Sequence, residues 1–309
     1  MVTAAGIIRA SAGLMLVAGL AGCSPQPADN APGDDAQTAT FDGAYTLELG
    51  ALQAAGSGSD ELGPDPLTMT VMVRSDCRDG CVASATVVDP PPELSLPEVR
   101  LDYTGKHWLG VSINQATCGD QPTEEFKTLT LHPAENGGFT GTYRSLTASN
   151  NGCNADRSVT LTRTGDVDPA IAVLEPDRMP ARVPNRAEGM SGRYRVLVTD
   201  TATGETEPPM ERKVRTYCVP TGERCVTLLT AENRELTFVF ADGAWSYQIS
   251  EPGRCPDGRP TVVHDRAEFA LPVPASDPIE KLTGKRQLTT DAPCAGTTDG
   301  TVLVERIGD

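Results

Sequence analysis

Three histidines, nine cysteines and two tryptophans are the residues of this 309-residue chain whose types invite a search for chemistry. The histidines, His107, His132 and His264, show neither H-x-x-x-H nor H-E-x-x-H spacing, which argues against a zinc hydrolase. No G-x-S-x-G elbow presents a nucleophilic serine. The stretch AAGSGSDELG precedes no helical pattern, so it reads as a flexible loop rather than a phosphate cradle. GDVDP at 165 carries two acids without the remaining ligands of a calcium loop. Glu124 and Glu125 adjoin, so on a strand they point to opposite faces and make a poor acid/base pair. His107 stands beside Trp108, but the matching place later in the chain has Ala244 beside Trp245, so the tryptophan is the shared element. Trp108 and Trp245 read as anchors of a core or a mouth and are the candidate ligand-facing residues. No catalytic set, metal site or cofactor is expected, and the chain reads as a binding module rather than an enzyme.

The cysteines divide into one and eight. The first 22 residues hold a single charged side chain, Arg9, ahead of an apolar run. That run is about 12 residues, short of the roughly 20 that span a bilayer, and has the form of a secretory signal. It ends in Leu20-Ala21-Gly22-Cys23, which resembles the lipobox of bacterial lipoproteins. The resemblance implies removal of residues 1–22 and a diacylglycerol on Cys23, anchoring the chain to the extracytoplasmic face of the cell membrane. Residues 23–40 then form a lipidated, flexible tether. With 26 Lys+Arg against 42 Asp+Glu and a net charge of −16, neither nucleic acid nor anionic lipid surface is a fitting partner.

The remaining chain is written twice. GAYTLEL at 43 returns as GRYRVLV at 192, YTGKHWLGVSI as FADGAWSYQIS, FTGTYRSLT as KLTGKRQLT, and SVTLTRTGD as TVLVERIGD. Each copy holds four cysteines and one tryptophan. We read two domains, 41–166 and 190–309, joined by a proline-rich linker at 167–189 whose Ile171, Val173 and Leu174 can pack on either one. Within a copy, apolar residues alternate with threonine: Leu67, Met69, Val71 and Val73 share a face, as do Leu129 and Leu131, Val159 and Leu161, and Val302 and Val304. Strands are expected at 44–49, 67–75, 81–88, 98–104, 107–116, 125–132, 138–147 and 157–164. Eight short strands per copy give an all-β chain of two tandem antiparallel barrel-like domains, with β-sandwiches as the alternative. The inner faces read as aliphatic, without a large polar set.

A meander fixes the cysteine pairs. Cys77 and Cys81 flank one end of strands two and three, whereas Cys118 and Cys153 lie at the opposite end. A Cα separation near 5.5 Å forbids a bridge along the barrel's length. The pairs are then Cys77–Cys81 and Cys118–Cys153, and by the same reasoning Cys218–Cys225 and Cys255–Cys294. A sandwich with crossed strands would break this parity.

The order G-x-Y, C-x-x-G-C-V-A, W, C, T-G-x-Y, C, L-T-R-x-G resembles repeats of mycobacterial and other actinobacterial exported lipoproteins and of the extracytoplasmic portions of some receptor-type serine/threonine kinases. CVPTGERC in the second copy departs from the hairpin pattern, being longer and lacking a glycine before Cys225. The resemblance implies a non-catalytic binding or sensory accessory module that engages an envelope protein or a cell-wall component. The alternative is a carrier of a lipid or other apolar ligand inside the barrels, since eight strands enclose either a filled interior or one small ligand.

Overall fold

Period-two alternation produces strands throughout. The computed structural model describes residues 40–54, 66–78, 80–90, 99–148, 153–231 and 234–309; Cys23 and the segments on either side of it, the signal-like stretch and the tether, lie outside the described residues. The first half holds β1 (Gly43–Leu49), β2 (Gln53–Ala54), β3 (Leu67–Asp76), β4 (Val82–Val88), β5 (Val99–Tyr103), β6 (Trp108–Cys118), β7 (Gln121–Pro133), β8 (Phe139–Thr147) and β9 (Ala155–Gly165). Each long strand pairs antiparallel with its sequence neighbour, and β1 pairs with β9 to close an eight-stranded barrel; the two-residue β2 adds to β9. The second half holds β10 (Gly192–Asp200), β11 (Met210–Cys218), β12 (Cys225–Ala231), β13 (Arg234–Ala241), β14 (Ala244–Arg254), β15 (Pro260–Ala270), β16 (Lys281–Thr290) and β17 (Gly296–Gly308), again a closed barrel. Closure of both sheets sets the sandwich alternative aside. Among the described residues no helix is long and apolar enough to cross a membrane.

The repeated motifs are the closure devices. Where first and last strands meet, a bulge falls between Ala44 and Tyr45 and between Arg193 and Tyr194. Gly43 and Gly192 just before it have φ of +134° and +115°, and a Cβ on either would lie 2.6 Å from the carbonyl oxygen of Gly165 or Gly308. Arg163 and Arg306 donate back to the carbonyls of Asp42 and Ser191 and pair forward with Asp166 and Asp309. The disulfides are Cys77–Cys81, Cys118–Cys153, Cys218–Cys225 and Cys255–Cys294.

The linker is a strap on the first barrel. Val167, Ile171 and Val173 cover the outward faces of Ala44, Met72 and Val88. Glu175 pairs with Arg74 at 2.6 Å, and Ser84 Oγ donates to the Leu174 carbonyl. Beyond it, Val183 N–H donates to the Pro220 carbonyl at 2.9 Å, so the strap passes to the second cysteine hairpin.

The barrels also meet side by side. Leu109, Val111, Phe126 and Leu146 point out of the first barrel and pack on Tyr217, Val219, Val226, Leu228 and Val239 of the second. Strand β6 is therefore buried on both faces, as its run WLGV requires. Around this apolar patch, Asn154 Nδ2 donates to Thr237 Oγ1 at 3.1 Å. Arg144 bridges Asp156 at 2.7 Å and Glu235 at 2.8 Å, and Arg224 pairs with Glu124.

Candidate functional site

The two copies can be superposed by counting from the tryptophans. Trp108 pairs across the sheet with Leu131, and Trp245 with Phe269. The same count equates Leu101 with Phe238, Gly110 with Tyr247, Lys127 with Asp265 and Tyr143 with Arg286. Both tryptophans are fully buried. Trp108 packs on Phe41 and Tyr103, with ring centroids 5.5 and 5.3 Å away, and Phe41 packs in turn on Phe139, tilted at 44° with centroids 4.3 Å apart. These aromatics plug the end of the barrel where the Cys77–Cys81 bridge lies. Neither tryptophan lines an interior cavity; they form the floor beneath it.

Above that floor the copies differ. In the second barrel Phe238 stacks on Tyr247 at 4.8 Å and on Phe269 at 5.6 Å, with interplanar angles of 12° and 19°. Asp265 and Arg286 lie on the same inner face and form a bidentate pair, Nε to Oδ1 2.8 Å and Nη2 to Oδ2 2.9 Å. Glu207 takes the remaining Arg286 nitrogen at 3.1 Å. Burial, and then the Asp265 charge, push the Tyr247 phenol well above its ordinary range. The 260 Å³ left in this barrel is bordered by Glu207, Arg212, Asp265 and Arg286, charges already answered among themselves or by close neighbours.

The first barrel has leucines and a glycine at the three ring positions, and its interior space is mainly aliphatic rather than bordered by rings and a closed ion pair. Its chamber of about 220 Å³ is walled by Leu47, Val71, Ala85, Val99, Leu101 and Leu129, among others. For comparison, an apolar cavity of about 150 Å³ stays dry and admits benzene. The chamber reaches the wall between β5 and β6, which pair at only two positions, Asp102↔Leu109 and Tyr103↔Trp108. There Gly110 brings the backbone close to Leu101, and Pro220 of the second barrel completes the lining. Toward the end where β6 turns into β7 the lining becomes polar, with Ser112, Lys127 and Tyr143. Burial, and then Glu125, raise the Tyr143 phenol well above its ordinary range. The expectation of purely aliphatic inner faces is thus corrected. Lys127 and Glu125 alternate with Leu129 on β7, so period two carries them inward with the leucines. Glu124, one residue off, faces the second barrel.

Two histidine clusters lie elsewhere. His107 and His132 have ring centroids 5.1 Å apart on the first barrel. Burial and then His132, with Arg215 and Lys106, lower the His107 pKa. On the second barrel Ser250 Oγ lies 2.8 Å from His264 Nδ1, and His264 Nε2 lies 3.3 Å from Asp291 Oδ2. Residues this far apart in the chain left no sequence signal. The His264 and Asp291 side chains are 39% and 57% exposed, and none of the three lines either interior cavity, so the setting lacks the dry, preorganised donors of an acyl-transfer site. Among the described residues no group of three or more His, Cys, Asp or Glu is placed to hold a metal ion.

Comparison with known proteins bears on the first barrel. The family model of the PknI serine/threonine-protein kinase sensor domain matches residues 37–178. The monomeric PknI sensor domain of M. tuberculosis is 19% identical, covers 45% of this chain and 97% of its own, and superposes with a TM-score of 0.37. A DUF3598-family protein of unknown function from Nostoc punctiforme PCC 73102 is 10% identical, covers 86% of this chain and 96% of its own, with a TM-score of 0.22. No curated protein matches. The family match is with a sensor domain, not a catalytic one, and it runs from just before the Phe41 plug to the end of the strap: it is the first barrel, with the segment wrapped on its outer wall, that matches the PknI sensor domain.

Proposed function

We propose that this protein is a lipid-anchored, non-catalytic sensory module of the extracytoplasmic face whose first barrel receives a small apolar ligand. The observation that carries the reading is the contrast in lining: the first barrel's chamber is walled mainly by aliphatic side chains around Leu101, Gly110 and Leu131, whereas the space in the second is bordered by three stacked rings and the closed Asp265–Arg286 pair. The sensor-domain match of that same barrel supports it, as does the acidic, disulfide-bonded chain behind a lipobox-like Cys23. Pro220 in the chamber wall places the second barrel where it can respond to occupancy.

Grafting the second barrel's residues tests the reading. Leu101→Phe with Leu131→Phe puts rings into the lining of the first chamber at positions where its twin already accommodates them. The wild-type chain binds the neutral fluorophore N-phenyl-1-naphthylamine at one site, and the double variant loses that site while keeping its thermal transition. Absence of binding to the wild type, or binding unaffected by the double variant, overturns the reading. The anchor is tested apart from it: Cys23→Ser moves the protein from the detergent to the aqueous phase on phase separation.

A further inference from the structure

We propose that the ligand of the first barrel is a single-chain amphiphile with an anionic head, its tail in the aliphatic chamber and its head at Lys127 and Tyr143. The inference rests on reading that barrel as the ligand chamber, and it comes from counting the charges on the inner face.

Three charged side chains sit at the polar end. Lys127 Nζ lies 3.4 Å from Glu125 Oε2, and both side chains are 19% exposed. With the Asn114 amide turned so that both its atoms are satisfied, its oxygen lies 3.1 Å from the same ammonium. Glu125 is shared, since Ser145 Oγ also donates to it. The third is Arg157, which pairs across the sheet with Tyr143 and so shares its inward face. Arg157 is 5% exposed; Nη1 donates to the Gly50 carbonyl at 2.7 Å, and among the described residues no carboxylate lies within ion-pair distance of it. Among the described residues, two cations thus face one anion in a largely dry interior. Buried charges are paired as a rule, because an unanswered one loses several kcal/mol of solvation.

The twin barrel shows what a balanced interior looks like. There Arg157 is replaced by Gly300, Lys127 by Asp265 and Tyr143 by Arg286, so the cation and anion belong to the protein and close on each other. In the first barrel the described inner wall sets one carboxylate, Glu125, against two cations, next to an apolar space, and a carboxylate or similar head on a short alkyl tail would supply both a second anion and a tail for that space. Tyr143 offers its hydroxyl beside Lys127, and burial with the Glu125 charge keeps that hydroxyl protonated and able to donate.

Titrating octanoate and 1-octanol into the full extracytoplasmic chain, followed by side-chain methyl NMR shifts, separates head from tail. The wild type binds octanoate about tenfold more tightly than octanol, the gain expected of a charge-assisted hydrogen bond. Lys127→Met removes that preference with octanol affinity unchanged, and Lys127→Arg retains it. Equal affinity for the two ligands in the wild type, or a preference that survives Lys127→Met, overturns the anionic-head proposal and leaves the chamber reading standing. Failure of both ligands to bind, or binding of both to the Leu101→Phe, Leu131→Phe variant, overturns the chamber reading and this proposal with it.

Discussion

Replacing Thr227 with valine isolates one hydrogen-bond chain that the second barrel has and the first lacks. The Trp245 indole N–H donates to Thr227 Oγ1 at 2.9 Å, the Thr227 and Thr216 hydroxyls are 2.8 Å apart, and Thr216 Oγ1 donates to the Met190 carbonyl at 2.8 Å. Because the Thr216 proton is committed to Met190, Thr227 must donate to Thr216, which leaves its lone pair for the indole. Trp245 and Thr227 are fully buried. Thr227→Val keeps the side-chain shape and deletes both bonds, so the cost is electrostatic rather than a cavity. A buried donor left without an acceptor costs about 1–3 kcal/mol, and a lost neutral hydrogen bond about 1 kcal/mol. We expect a loss of about 2–3 kcal/mol, which for two barrels unfolding as one unit lowers the melting temperature by roughly 4–6 °C. Scanning calorimetry of the oxidised protein reads it directly. Ala83 occupies the place of Thr227 in the first barrel, and there the Trp108 indole nitrogen is buried without a partner among the described residues. Ala83→Ser should therefore raise the first barrel's stability by about 1 kcal/mol. A Thr227→Val loss below about 0.5 kcal/mol would refute the reasoning, since it would mean that the indole donor finds another partner at no cost.

Three further outcomes follow from the same geometry. Leu228→Asp puts a carboxylate into the apolar contact between the barrels and should split one urea transition into two; a single unshifted transition would mean that the contact couples nothing. Cys255→Ser with Cys294→Ser opens a loop of 39 residues and should cost about 4 kcal/mol, against about 2 kcal/mol for Cys77→Ser with Cys81→Ser across 4 residues, as judged by denaturant midpoints. His107 has a lowered pKa in the fold, so its neutral form is favoured there: stability is full above the unfolded value near 6.5 and declines as pH falls through it toward the folded pKa. His107→Gln should flatten melting temperature against pH between about 7 and 5, and an unchanged slope would remove the histidine from the account.

The strand order was legible because each barrel wall has one wet and one dry face over most of its length. Thr68 and Thr70 alternate with Met69 and Val71, and the expected boundaries of that strand, 67–75, fall within a residue of β3. Boundaries were missed where local chemistry misled. Pro122 hid the start of β7, because proline lacks the ladder donor, yet it sits next to the tight turn at Gly119-Asp120 and pairs with Thr117. The two-residue β2 is too short to show a period. Phe41 was placed only as a domain boundary; nothing in its immediate sequence shows that a ring preceding the first strand turns inward to plug the barrel. The apolar outer faces of β6 and β7 could not be assigned to a partner, because alternation tells inside from outside but not solvent from a second barrel. Lys127 and Glu125 were on the inward face by simple counting, but an aliphatic expectation discounted them.

Duplication gives two copies of one scaffold, and the copies have diverged at matched positions rather than at random. Leu101, Gly110 and Leu131 stand against Phe238, Tyr247 and Phe269, while Phe41, Phe139 and Tyr143 stand against Met190, Leu282 and Arg286, so the rings move from the plugged end and the β8 wall of the first barrel to the β13–β15 wall of the second. The polar positions change with them: the second barrel carries a closed Asp265–Arg286 pair, whereas the first, among the described residues, carries two inner cations against one carboxylate and an indole with no acceptor. Among the described residues the indole hydrogen bond and the inner ion pair are better satisfied in the second barrel, although both barrels keep interior space. Unsatisfied groups in an otherwise well-made fold concentrate where a ligand is to be received, because a site already content with itself has nothing to gain from binding. The docking of Pro220 into the wall of the first barrel then has a physical sense. On the proposed reading, the second barrel rests against the β5–β6 seam, where pairing is confined to two positions, so a change inside the chamber would be felt at the junction.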